Sequence, residues 1–359
     1  MTDFFPEFEA VSRAAWQKQV EKVLKGAAVD TLNWQVDADL CLQPLYRSGD
    51  AQSELLHSNR ADNTWQIVEY FDFAAAEVPQ INIKMLNALA GGCQEIVMKV
   101  ASTDDISLVA ATFSGVWTDM VRISWQLEDI STARKLLPIL DAWASSGHIS
   151  IQNAQISDLY ELACSLQEQK LNYTCCTVCS KKNETHAQNL TDLLAQAAEW
   201  LSFCRQKSRS TEWAVGFLQV QISVGDYYFV EIAHIRAFKR LWLALLQAFD
   251  APAPVFPRLV AHTSSKNNLN NSSQFSLLAA TSQALSASIA GVDALYILPP
   301  TGWENIDDET ARRLARNIHH LLQAESHLDA VIDPAAGAYY IEAATQHLTS
   351  AAWEALPIE

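Results

Sequence analysis

The 359-residue sequence predicts an α/β fold, a (β/α)₈ TIM barrel carrying an N-terminal arm and a short C-terminal extension. Three observations carry that expectation. From Thr64 onward, short apolar or alternating runs trade places with amphipathic segments, and eight such strand–helix units end near residue 325. Alternation of this kind means parallel strands with crossover helices, and eight units in roughly 260 residues is the span of a closed barrel. The rival open, doubly wound sheet lacks support, since no G-x-G-x-x-G follows the first strand and no P-loop occurs anywhere.

The elements follow in order. Residues 1–63 form the arm: EFEAVSRAAWQKQVEKVLKGA places Val11, Ala14, Val20 and Val23 at helical spacing and stops at Gly26. TLNWQVDADLCLQPLY reads as a short extended pair. In the barrel, 64–328, strands are expected at 64–71, 93–100, 120–127, 148–154, 171–180, 217–223, 258–265 and 293–300. Helices are expected at 78–92, 104–113, 131–146, 156–169, 184–206, 226–249, 276–292 and 307–325. The extension, 329–359, reads as a turn, a short strand and a helix.

Charge and composition narrow the function. Against 25 Lys+Arg stand 41 Asp+Glu, a net charge of −16 that repels phosphate backbones and argues against nucleic acid. The same charge disfavours a polyanionic ligand unless a basic pocket is hidden locally. No apolar run approaches the roughly 20 residues a bilayer span needs, and no secretory leader is visible, so no membrane role and a cytoplasmic location are expected. Seven cysteines, an odd number, do not suit a disulfide framework; Cys175, Cys176 and Cys179 sit in a strand-like run and read as thiols in a reducing compartment.

In a barrel enzyme the reactive groups lie at the C-terminal ends of the strands. Those positions hold Tyr70, Phe71 and Asp72 after strand one, Ser223, Gly225 and Asp226 after strand six, and His262, Thr263, Ser264 and Lys266 after strand seven. A Ser/His/Lys constellation is conceivable in the last loop, but no third residue is set by spacing, and solvated Asn/Ser loops are common. His319 and His320 are neighbours on a helix and cannot share a face, so no metal pair forms. The charged residues of the sixth helix, Glu231, His234, Arg236, Lys239 and Arg240, flank an apolar stripe of Ile232, Ile235, Phe238, Trp242, Leu245 and Phe249. Asp226 is expected to cap that helix, and its charges suit the helix dipole without any catalytic role. Accordingly, no catalytic, cofactor-binding or metal-ligating residue is expected.

The pattern GxxxFxEIAxxRAxxRLW at 225–242, ARRLARNIHHLLQAES at 311–326 and VIDPAAGAYYIE at 331–342 resembles the adenosylcobalamin-dependent methylmalonyl-CoA mutase family, and residues 5–46 resemble the arm of its small subunits. The departures are as informative. Catalytic chains of the family begin their barrel near Trp-Thr-Ile-Arg-Gln-Tyr-Ala-Gly-Phe; here Trp65, Ile67, Tyr70 and Phe73 agree, but Gln66 and Val68 replace the threonine and arginine. Tyr227 and His234 stand where the family pattern has Asn and Lys. No histidine follows an aspartate by two positions, so the Asp-x-His-x-x-Gly cobalamin ligand motif does not occur. The resemblance therefore implies the small, non-catalytic subunit of a heterodimer. Its large subunit would carry adenosylcobalamin and isomerise methylmalonyl-CoA to succinyl-CoA. An active acyl-CoA mutase barrel borrowing a cobalamin domain, and an unrelated ligand-binding barrel, remain open at this point.

Overall fold

The computed structural model describes residues 11–50, 60–102, 105–180, 185–264, 273–300 and 307–356. The arm comprises helix α1 (Arg13–Val23) and a hairpin of β1 (Trp34–Gln35) and β2 (Cys41–Leu42), paired antiparallel. The barrel then alternates β3 (Gln66–Asp72), α2 (Val78–Ala90), β4 (Glu95–Val100), α3 (Ile106–Ala111), β5 (Arg122–Leu127), α4 (Ile130–Trp143), β6 (Ser146–Ile151) and α5 (Ile156–Glu168). The expected fifth strand is broken in two, β7 (Asn172–Thr174) and β8 (Cys176–Cys179). After it come α6 (His186–Gln206), α7 (Thr211–Gly216), β9 (Leu218–Val224), α8 (Tyr228–Ala248), β10 (Arg258–Thr263), α9 (Ser273–Ala290), β11 (Ala294–Tyr296) and α10 (Asp308–His320). The last helix is α11 (Tyr339–Ala355).

Strand order is β7-β6-β5-β4-β3-β11-β10-β9-β8, with every ladder parallel. Because β7 and β8 are consecutive in the chain, the sheet is nearly closed into a ring. The break serves the closure: the N–H groups of Cys175 and Cys176 both donate to the Phe217 carbonyl, at 3.0 and 2.9 Å. Two residues thus face one, which swings the first half of the strand onto β6 and the second onto β9.

Two apolar clusters follow from the alternation of side chains. The larger lies between the ring and the helices. The smaller, Val68, Val97, Val260 and Ala294 with Tyr70 and Tyr296 packed on it, fills the inside of the barrel. Gly147 in β6 has a steric reason: a Cβ there would stand 1.8 Å from the Ile123 carbonyl oxygen of the neighbouring strand.

Helix α7 lies between the expected helix 184–206 and strand 217–223, and its start is marked by Ser210, whose hydroxyl accepts from the Trp213 N–H. One expectation needs correction. In the C-terminal extension no strand occurs among the described residues. The segment Tyr339–Glu342 opens α11 instead, because Ile341, Ala344, Thr345, Leu348 and Ala352 bury one helical face. Helix α11 packs mainly along α8, and also touches α6.

Candidate functional site

The inward side chains of a parallel barrel stack in layers. At the base, the first inward position of five strands is polar: Gln66, Glu95, Arg122, Gln219 and Arg258. Glu95, 2% exposed, accepts from the Ser124 hydroxyl at 2.5 Å and from Arg258 Nη2 at 2.5 Å, with Arg122 Nε 3.6 Å away. Arg258 also donates to the side-chain amide oxygens of Gln66 and Gln219, at 2.5 and 3.3 Å. Above this lie the interior valines and His148, whose two ring nitrogens sit 2.7 Å from the Thr174 and Thr177 hydroxyls. Among the described residues, a cavity of about 20 Å³ lies along this axis, room for about one water.

At the upper end the Tyr70 hydroxyl lies 3.2 Å from His262 Nε2, and the Tyr296 ring packs against both. Burial holds the His262 imidazole down to about 4 and raises the Tyr70 phenol. Both groups are therefore neutral at pH 7.

The other strand-end residues are dispersed. Phe71 is buried beneath the Arg312 guanidinium, 4.8 Å from its ring centre, while Asp72 points to solvent beside Lys99. The Ser223 N–H donates to Ser180 Oγ. Thr263 accepts from the Leu298 N–H, and Ser264 pairs through its backbone with the Gln283 amide. Lys266 lies outside the described residues. Cys175 and Cys176 are buried at the strand break and Cys179 is exposed. His319 is buried and accepts from Trp65 Nε1, whereas His320 turns to the Gly91 carbonyl. Among the described residues no three metal-ligating side chains converge with metal-binding geometry.

Helix α8 does not present its charges to the barrel mouth. Arg236 is 0% exposed and bridges Asp333 and Glu342, the latter at 2.8 Å; Arg240 reaches the other Glu342 oxygen at 2.7 Å. The pattern EIAxxRAxxR is thus the α8 half of an ionic seam, and the Asp-Pro-Ala-Ala-Gly and Tyr-Tyr-Ile-Glu segments supply the acidic half. The N-cap is Tyr227, without a side-chain cap. Asp226, expected in that role, instead accepts from Gln283 Nε2 at 2.6 Å, since the chain leaves β9 before turning into the helix. His234 is buried with no hydrogen-bond partner on either ring nitrogen among the described residues, and burial depresses it to about 3.

One contact that sequence reasoning missed ties the arm to the barrel. Leu40 and Leu42 of the hairpin are fully buried. Asp37 lies 2.6 Å from His186 Nδ1, and His186 Nε2 lies 3.3 Å from Glu231. Asp39 accepts from the Thr185 hydroxyl. Burial alone would lower the His186 imidazole, but its hydrogen bonds to Asp37 and Glu231 outweigh that and raise it to about 9. Burial opposes the charge on Asp37 too, yet its bonds to His186 hold it at about 2. Residues 149 positions apart carry no pairing signal in one sequence. By contrast α1, also in the arm, buries none of its residues.

The family model described as methylmalonyl-CoA mutase matches residues 177–358. The methylmalonyl-CoA mutase small subunit of Streptomyces virginiae is 26% identical over 97% of this chain and 63% of its own length. That of Porphyromonas gingivalis is 25% identical over 98% of this chain and 63% of its own. The chain therefore spans less than two thirds of the length of these curated relatives. A solved structure of wild-type Plasmodium falciparum HPPK-DHPS with pterin and p-hydroxybenzoate aligns with TM-score 0.43 and 14% identity, covering 92% of this chain and 59% of that one.

Proposed function

This chain belongs to the methylmalonyl-CoA mutase family, and we propose that it is the small, non-catalytic subunit of a two-chain mutase. Its partner would be a large subunit that holds adenosylcobalamin and interconverts methylmalonyl-CoA and succinyl-CoA. The observation that carries this reading is the filled axis. A thioester with its long tail needs a bore, and here Glu95, Arg258, the interior valines and the Tyr70–His262–Tyr296 cluster take up that space. Opening it would strip a buried carboxylate of its cationic partner, at a cost of several kcal/mol.

The donor set does not fit cobalamin. The imidazoles that face the axis, His148 and His262, are already hydrogen-bonded to hydroxyls within the barrel. No catalytic step is assigned to the cofactor on this chain. Seven free cysteines, several of them buried, suit a reducing cytoplasm, and no helix among the described residues is long and apolar enough to cross a membrane.

The arm supplies the partner contact. An isolated helix of 11 residues is marginal in water, and among the described residues α1 buries none of its side chains fully; Val23 is 71% exposed. A second chain laid over it would stabilise it. Co-expression with a mutase large subunit tests the reading. A one-to-one complex on size exclusion is expected, and separate elution at moderate salt would overturn it.

A further inference from the structure

We infer that this chain binds a small organic monocarboxylate with an apolar body in a pocket at the base of the barrel, the face opposite the strand ends where barrel chemistry is sought. This pocket is independent of the subunit role proposed above. Its volume is about 410 Å³, inside the range of pockets that enclose small molecules. Arg60, Lys239, Arg258 and Asp293 supply its charges, and the Phe238 and Phe256 rings contribute to its apolar wall.

The charge balance points to an anion. Arg258 is neutralised by Glu95 at 2.5 Å, and Arg60 lies 3.6 Å from Asp293. Asp293 is further occupied by the Leu259 N–H, which it accepts at 2.7 Å. Lys239 is different. Its ammonium donates to the Ala290 and Gly291 carbonyls at 2.6 and 2.8 Å, and no carboxylate comes within 4 Å among the described residues. A buried ammonium carries three donors, and here two are used. Burial depresses it to about 8, against the pull of Asp293, which lies beyond ion-pair distance, so it remains charged at pH 7. In a chain of net charge −16, a cationic hollow of this kind is the local exception that a bound anion would exploit.

The wall selects the class of anion. A bare phosphate is strongly hydrated and gains nothing from two phenyl rings, whereas a carboxylate on an aromatic or branched alkyl body would place its charge at Lys239 and its body between Phe238 and Phe256. Such a ligand desolvates apolar surface while pairing a charge that is already desolvated.

The test is fluorine NMR of 4-(trifluoromethyl)benzoate titrated with the full chain at pH 7. With 13 non-hydrogen atoms, and about 0.3 kcal/mol for each, the dissociation constant should be about 1 mM or tighter. The neutral 4-(trifluoromethyl)benzamide should bind at least tenfold more weakly, inorganic phosphate should not displace the benzoate, and Lys239→Met should abolish saturation. Phe256→Ala, farther from the buried core, serves if Lys239→Met fails to fold, and should weaken binding about tenfold. No saturable binding by the unmodified chain, equal binding of the amide, displacement by phosphate, or undiminished binding by a folded variant would each overturn the inference.

Discussion

At single residues, buried charge dominates the energetics. Glu342, 1% exposed, is the shared partner of Arg236 and Arg240. Glu342→Ala leaves a fully buried guanidinium with Asp333 alone and should cost about 3–5 kcal/mol, read as a shift in the urea midpoint. The individual residues of this seam were visible in the sequence as a basic spacing on one helix and an Asp-Pro followed by a Glu further on. Their pairing was not, because 106 residues separate Arg236 from Glu342 and periodicity reports faces, not partners. The base cluster was closer to legible: Gln66, Glu95, Arg122 and Arg258 all interrupt apolar strands near their starts, where strand alternation turns them inward.

At the scale of elements, the strand break and the arm matter most. Alternation shows LNYTCCTVCS to be a strand but cannot reveal that Cys175 and Cys176 share one carbonyl partner, since a bulge leaves the apolar pattern nearly intact. Gly147 occupies the adjoining β6, and Gly147→Ala would drive a methyl into the Ile123 carbonyl. The expected loss is about 3 kcal/mol or more, since backbone must move; a folded variant of unchanged melting temperature would contradict the strand geometry. The arm latch has a pH signature. The His186 imidazole is raised from 6.5 to about 9, so the folded state holds its proton more tightly than the unfolded one. Its contribution is complete below about pH 6.5 and is lost as pH rises through about 9. Limited proteolysis should therefore clip the hairpin faster at pH 10 than at pH 7, and His186→Asn should remove the difference.

At the scale of the whole molecule, eight strand–helix units were readable because each buries one stripe of a helix and both faces of a strand. The contents of the barrel were not, because length and alternation are the same for a filled and an open bore. The interior also sets the acid response. Burial lowers His148, His234 and His319 to about 3 and His262 to about 4. Near pH 5 the unfolded chain would hold protons on all four and the folded chain on almost none. Depressed imidazoles contribute stability above pH 6.5 that is lost as pH falls. At about 1.4 kcal/mol per proton per pH unit the combined slope is up to about 5 kcal/mol per unit. Urea unfolding between pH 6.5 and 4.5 should show that steep decline, and a flat profile would mean that these rings are hydrated.

The proposed subunit role places acyl-CoA binding on the large subunit and not in this barrel. Calorimetric titration of the purified two-chain complex with methylmalonyl-CoA measures this directly: one site per pair of chains is predicted, with none on this chain alone. Two equivalent sites per pair, or tight thioester binding by the isolated chain, would contradict it.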